Sequence, residues 1–234
     1  MGNYSKITYI VPDINRSYVT GSVKYSSPNV IKANRIMAKD IKLKLGSLIS
    51  KWGTEFEVDE EILVGFIATE SGGENSAPNA YNATGYMQIT PVSVYETITK
   101  WNNMVSVPLS EKTKEVLLKY TPNYKKWSSS KTPTTSQLNE IKTASRNADF
   151  NIAMGTAIIR WLLEAYSKEG DSPLNKVMVS YNIGYYGARN KIKGNMTSQQ
   201  MLATKGLGVE PKAYLLKMLG RYGFLDLLFN PDIA

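Results

Sequence analysis

Leu63, Phe66, Ile67 and Glu70 stand at i, i+3, i+4 and i+7, so a helix would carry all four on one face. That face is apolar, yet it ends in a carboxyl. Glu70 also falls near the expected C-terminus of the helix, where the macrodipole disfavours negative charge. Desolvation and dipole both push its pKa upward. A carboxyl that stays protonated near neutral pH can act as general acid in breaking a glycosidic bond. Gly72 and Gly73 follow at once; they end the helix abruptly and leave open space beside the carboxyl, as a cleft requires. The plainer alternative is a Glu that leaves the stripe for water or pairs with a lysine.

The rest of the alphabet narrows the chemistry. The 234 residues include no Cys and no His. Thiol nucleophiles, disulfides, Cys/His zinc sites and Ser-His-Asp triads are therefore excluded. Catalysis must come from carboxylates, Lys, Tyr, a hydroxyl or a hard metal ion. The net charge of +8 favours anionic partners, among them nucleic acid, a membrane surface or an acidic cell envelope. No dense Lys/Arg run with interleaved aromatics marks a nucleic-acid face, so no nucleic-acid partner is expected. No apolar run is long enough to cross a bilayer. The first ten residues show neither the layout of a secretory signal nor the myristoylation pattern, since Lys6 stands where Ser or Thr is required.

The elements that must position Glu70 read as mostly helical. Residues 1–35 are rich in Tyr, Val, Ser, Thr and Asn, carry turn signals at Pro12-Asp13 and Pro28-Asn29, and predict an extended or β-like arm. From Ile36 to Trp52 the pattern is that of an amphipathic helix. Asp59-Glu60-Glu61 opens the helix that reaches Glu70. A loop rich in Asn, Ala and Gly runs to Ile89, and Pro91 opens another helix toward Trp101. Residues 103–148 are polar, with helical pieces near 110–120 and 136–145, and predict an insertion or lid. Asp149 is the expected cap of a helix over 150–168 that is apolar on nearly every side and should be the buried centre. Ser172-Pro173 is a cap followed by Pro at the first helical position. A last helix is predicted from Pro211 toward Phe229.

Four blocks in this order resemble a known family. Glu70-Ser71 followed by Ala83-Thr84-Gly85-Tyr86-Met87-Gln88-Ile89-Thr90-Pro91 is similar to the signature of soluble lytic transglycosylases and goose-type lysozymes. Gly155 to Leu163 resembles that family's buried helix, Ser180-Tyr181-Asn182-Ile183-Gly184 its Tyr-Asn-Ala-Gly motif, and Glu210-Pro211-Lys212-Ala213-Tyr214-Leu215 its Glu-Thr-x-x-Tyr-Val motif. The resemblance spans about residues 55–225, with 36–234 as the expected domain. Tyr86, Asn82, Ile183 and Pro211 depart from the usual Leu, Gly, Ala and Thr. The implied fold is mainly α, an α+β lysozyme-like domain with a small irregular or β-rich lobe and a cleft between lobes.

The resemblance also implies roles. Glu70 would protonate the bond between N-acetylmuramic acid and N-acetylglucosamine, then act as base on the muramoyl C6 hydroxyl to give a 1,6-anhydro sugar. Ser71 would orient the substrate; Tyr86, Met87 and Gln88 would line the cleft; Asn182 would bond the sugar amide. Tyr181 would pack beneath the site and Tyr214 would hydrogen-bond Glu70. Taken singly, each of these also fits packing or capping. No metal or cofactor is implied. A hydrolytic relative needs a second carboxylate, for which Glu74 is the best stand-in. The expected partner is the peptidoglycan glycan strand. A bacteriophage setting is expected, either as an endolysin released through a membrane pore or as a virion protein docked through the arm; the alternative from another class is a non-catalytic wall-binding or structural virion protein that kept the fold and lost the activity. The chain would then be made in the cytoplasm and act on the bacterial wall.

Overall fold

The structure, a computed structural model, describes residues 9 and 11 and the spans 14–167 and 174–232. The expected turn at Pro12-Asp13 and the cap at Ser172-Pro173 lie outside the described residues. Two short strands, β1 (Val19–Thr20) and β2 (Val23–Lys24), pair antiparallel through the register Val19↔Lys24. The first half of the chain then builds α1 (Pro28–Phe56), α2 (Glu60–Ser71), α3 (Pro91–Thr99), α4 (Trp101–Met104), α5 (Glu111–Tyr120) and α6 (Thr135–Ala144). The second half builds α7 (Ala148–Tyr166), α8 (Leu174–Ile183), α9 (Tyr185–Arg189), α10 (Ser198–Ala203), α11 (Val209–Leu219) and α12 (Phe224–Phe229). The described residues are thus mainly helical with one small hairpin, as a lysozyme-like domain is.

The centre is α7. From Phe150 to Leu163 every residue is buried, so this helix has no solvent face, as its all-round apolar sequence dictates. Its cap is Asn147, whose Oδ1 accepts from the amides of Asp149 (3.0 Å) and Phe150 (3.3 Å). Asp149 sits inside the first turn instead, where Lys51 Nζ and Trp52 Nε1 both donate to its Oδ1 at 2.8 Å. The expected capping role therefore passes two residues upstream.

Helix α1 packs against both α2 and α7. It buries Ile31, Ala38, Ile41, Leu45, Ile49, Trp52 and Phe56, a spacing of three, four and seven residues that keeps one stripe inward. It begins eight residues before the expected Ile36. Ser27-Pro28 is its boundary: Pro28 occupies the first turn, where its fixed φ suits a helix and its missing N–H costs nothing. What reads as a turn at Pro28-Asn29 is a helix start.

The expected single helix from Pro211 to Phe229 is two helices, broken at Gly220–Gly223. There the N-terminal segment intervenes: Ile14 pairs with Gly220, and Arg221 N donates to Ile14 O at 2.9 Å. Ile14 is 1 % exposed. Part of the arm is therefore built into the core.

Residues 103–148, expected as an insertion or lid, pack tightly. Leu117 and Ile141 are fully buried, with α5 against α7 and α6 against α3. Most of their charged residues face water, while an apolar stripe, joined by the buried hydroxyls of Thr113, Thr121 and Ser145, anchors the segment.

Candidate active site

Helix α2 delivers Glu70 to the floor of a cleft of about 480 Å3. The helix ends immediately after it. Gly72 takes φ +64 and closes the helix in a left-handed cap, its N–H bonding Ala68 O. Along the opposite wall, α11 presents Glu210, Ala213, Tyr214 and Lys217, again one helical face at i, i+3, i+4 and i+7. The end of α8 adds Tyr181 and Asn182, and the loop before α3 adds Asn79, Tyr81, Gln88 and Thr90.

Glu70 is half-buried and accepts a hydrogen bond from Tyr214 Oη at 2.7 Å on Oε1. Burial pushes its pKa from the ordinary 4.5 to about 7. The Tyr214 bond and nearby Lys217 pull the other way, while the Glu210 carboxylate adds to the rise. Burial and the Glu70 charge hold the phenols of Tyr181 and Tyr214 well above their usual range, so both stay neutral donors. Tyr181 spends its hydroxyl on Met87 O at 2.8 Å, and its ring rests against Phe66 with centroids 4.7 Å apart. A carboxyl raised to about pH 7 and held by one phenol in a concave polar site has the protonation state that general-acid chemistry requires.

Asn182 contributes a different signal. Its Oδ1 is buried without a hydrogen-bond partner while the residue lines the cleft. Leaving such an acceptor unmade costs about 1–3 kcal/mol, a cost that a ligand N–H would relieve.

The cleft thus gathers Glu70, Gln88, Tyr181, Asn182 and Tyr214, but four other expected residues lie elsewhere. Ser71 Oγ donates to Tyr86 O at 2.7 Å and accepts from Gly73 N at 3.3 Å; it ties the loop to the helix end and does not line the cleft. Tyr86 turns away, its ring buried beneath Lys44 Nζ at 5.4 Å from the centroid. Met87 is fully buried, and its sulfur occupies the space that a Cβ on Gly155 would need. Glu74 lies in a separate hollow beside Met37, Ile41 and Lys44, with its side chain 78 % exposed and Lys44 Nζ 3.5 Å from its Oε2. The two glycines before it swing it out of the cleft, so Glu74 is no second carboxylate. Among the described residues, the second carboxylate lining the cleft is Glu210.

The loop's shape comes from a residue that the motifs do not flag. Asn151, fully buried on α7, accepts from Met87 N (2.8 Å) and donates to Thr84 O (2.8 Å) and Ser145 O (2.9 Å). A Cβ on Gly85, which has φ +79, would collide with this amide. Asn82 sits where the family usually has Gly, and its φ of +61 explains the exchange, since Asn tolerates left-handed backbone. Gln88 also has positive φ, +44, and its Nε2 donates to Gly85 O at 2.9 Å. Residue 146 at the end of the 103–148 segment joins in, its carbonyl accepting from Asn75 Nδ2 at 2.9 Å. Lys217, Tyr81 and Asn151 were missed by sequence reasoning, and Glu210 was named only as the first residue of a motif block, without a role. Lys217 left a trace as a helical neighbour of Tyr214 at i+3.

No curated protein matches the chain. Among protein families, one model finds its counterpart around the Glu70 helix and loop, leaving the blocks at 180–184 and 210–215 outside the matched span. That family's members are glycosidic-bond lyases of the lytic transglycosylase type that act on peptidoglycan. Residues 47–112 match the family model described as the transglycosylase SLT domain, a match that supports the resemblance to lysozyme-like lytic transglycosylases over that span.

Proposed function

We propose that the protein cleaves the β-1,4 bond between N-acetylmuramic acid and N-acetylglucosamine in peptidoglycan, leaving a 1,6-anhydromuramoyl end. The observation that carries this reading is Glu70: a carboxyl raised to about pH 7, held by Tyr214, at the floor of a polar cleft. In its neutral form Glu70 gives its proton to the leaving glycosidic oxygen. The substrate's own N-acetyl oxygen attacks the anomeric carbon, so one protein carboxyl suffices. The resulting Glu70 carboxylate then takes the proton of the muramoyl C6 hydroxyl as that oxygen closes the anhydro ring. The proton returns to Glu70 and no water is consumed. Asn182, with its unpartnered acceptor, is suited to hold the N-acetyl N–H, and Gln88 the neighbouring edge.

Glu210 favours a second reading. A carboxylate across the same cleft could hold a water and turn the reaction to hydrolysis, the role first expected of Glu74. Mass spectrometry of the products from purified peptidoglycan separates the two. Anhydro-muramoyl ends support transglycosylation; reducing muramic ends would transfer the assignment to a muramidase using Glu70 and Glu210.

The biological setting proposed is a bacteriophage, with the protein as a virion component or an endolysin acting on the wall. What supports it is the basic, cysteine-free composition and the N-terminal segment rich in Tyr, Val, Ser, Thr and Asn. Proteomics of purified particles tests it: presence in the particle supports the virion role, and absence from particles with activity in lysates supports the endolysin.

A further inference from the structure

We propose that Tyr81 is a stacking platform for a pyranose ring of the glycan strand, and so sets how tightly the cleft holds its substrate. The inference rests on the carbohydrate reading of the cleft and adds a residue to it. Tyr81 lines the same cleft as Glu70, yet it is 83 % exposed. Its ring makes no stacking contact with another aromatic ring among the described residues. A single exposed aromatic is ordinary on a convex surface. In a concave polar site it is an apolar plane that water must cover until something else does.

The backbone beneath the ring is fixed. Asn79 Oδ1 accepts from Tyr81 N at 2.8 Å and from Ala83 N at 3.1 Å. On the far side, Lys142 Nζ donates to Asn82 Oδ1 at 2.7 Å, tying the loop tip to α6. The ring then has only two side-chain torsions to settle, so little entropy is lost when a ligand covers it.

The chemistry of the cleft selects the ligand. A pyranose has one face of C–H bonds, which suits the electron-rich face of a phenol ring, and an equatorial rim of hydroxyls and amides. Tyr81 offers the plane; Gln88, Thr90 and Asn182 offer rim partners in the same cleft. A planar peptide or a simple anion would use only the second set.

The test uses the full chain in a Glu70→Gln background, which prevents turnover, with the N-acetylglucosamine pentamer as probe in titration calorimetry. Tyr81→Ala is expected to weaken binding about tenfold and Tyr81→Phe to stay within about twofold. With Glu70 intact, Tyr81→Ala should raise KM on sacculi by a similar factor and leave kcat within about twofold. Equal binding and KM in Tyr81→Ala would overturn the platform while leaving the catalytic reading standing. Equal losses in the Phe and Ala variants would also overturn it, because the hydroxyl and not the ring plane would then matter. Failure of the unsubstituted protein to release any fragment from sacculi would bring down the catalytic reading, and the platform with it. Thermal melts should coincide for all three, since the side chain supports no packing.

Discussion

Between Glu70 and Ile89 the chain presents two faces that do different work. Glu70, Tyr81 and Gln88 look into the cleft, where the groups that could touch a sugar are gathered. Ser71, Tyr86 and Met87, their immediate neighbours, look the other way. Ser71 bonds the loop carbonyl of Tyr86, Met87 fills the notch over Gly155, and Asn151 clasps Met87 N and Thr84 O from below. One face gathers the candidate reactive groups and the other carries shape. A sequence motif mixes them, because a loop held to sub-ångström tolerance needs its scaffold residues as strictly as its reactive ones.

Substitutions on the two faces should separate cleanly. Glu70→Gln is expected to cut turnover by about 10^3-fold, within the range general acids supply. It should not destabilise the fold. Glu70 has a folded pKa of about 7 against 4.5 unfolded, so the unfolded chain gives up this proton first and the folded state loses stability as pH rises from 4.5 to 7. Above pH 7 that cost reaches up to about 3 kcal/mol, less whatever solvent screening removes. The Gln variant should therefore melt higher than the parent at pH 8, with the gap closing toward pH 4. A lower melting temperature at pH 8 would mean that the carboxylate is well paired and not strained.

On the scaffold face the order reverses, with stability lost first and activity as a consequence. Asn151→Leu strands Met87 N and the carbonyls of Thr84 and Ser145 in the core, and should cost on the order of 3 kcal/mol or more in urea unfolding. Ser71→Ala removes one tie between helix end and loop, for about 1 kcal/mol. Its turnover should fall far less than that of Glu70→Gln; an equal fall would place Ser71 back among the reactive groups. Smallest of all is Glu74→Gln. Its carboxylate is exposed and outside the cleft, so activity should change by less than about twofold.

The same division explains what could be read from the sequence. Helix α7 was legible because fourteen consecutive buried positions leave no other choice for so apolar a run. Glu70 was legible because a carboxyl ending an apolar stripe is a local signal, whereas Gln88, Asn182 and Tyr214 were named only through the family resemblance of their motif blocks. The break at Gly220–Gly223 was not, because its cause is Ile14, some two hundred residues away in the chain. Nor was the burial of residues 103–148, where a few apolar side chains such as Leu117 and Ile141 do the anchoring amid polar ones. The side on which Glu74 emerges depends on two successive positive-φ glycines, and composition does not fix that direction. Ser71 and Met87 were assigned to the cleft because a motif gives membership and not orientation.

The most direct test of the account is a carbon-13 NMR titration of the Glu70 side-chain carboxyl, assigned by its loss in Glu70→Gln. The account predicts a midpoint near pH 7 and a parallel fall in glycan cleavage as pH rises through it, because the neutral acid is the active form. Replacing Tyr214 with Phe should move both midpoints upward together, since the Tyr214 bond holds the pKa down. A Glu70 midpoint at the ordinary 4.5, with cleavage undiminished at pH 8, would contradict the claim that this buried carboxyl is the acid.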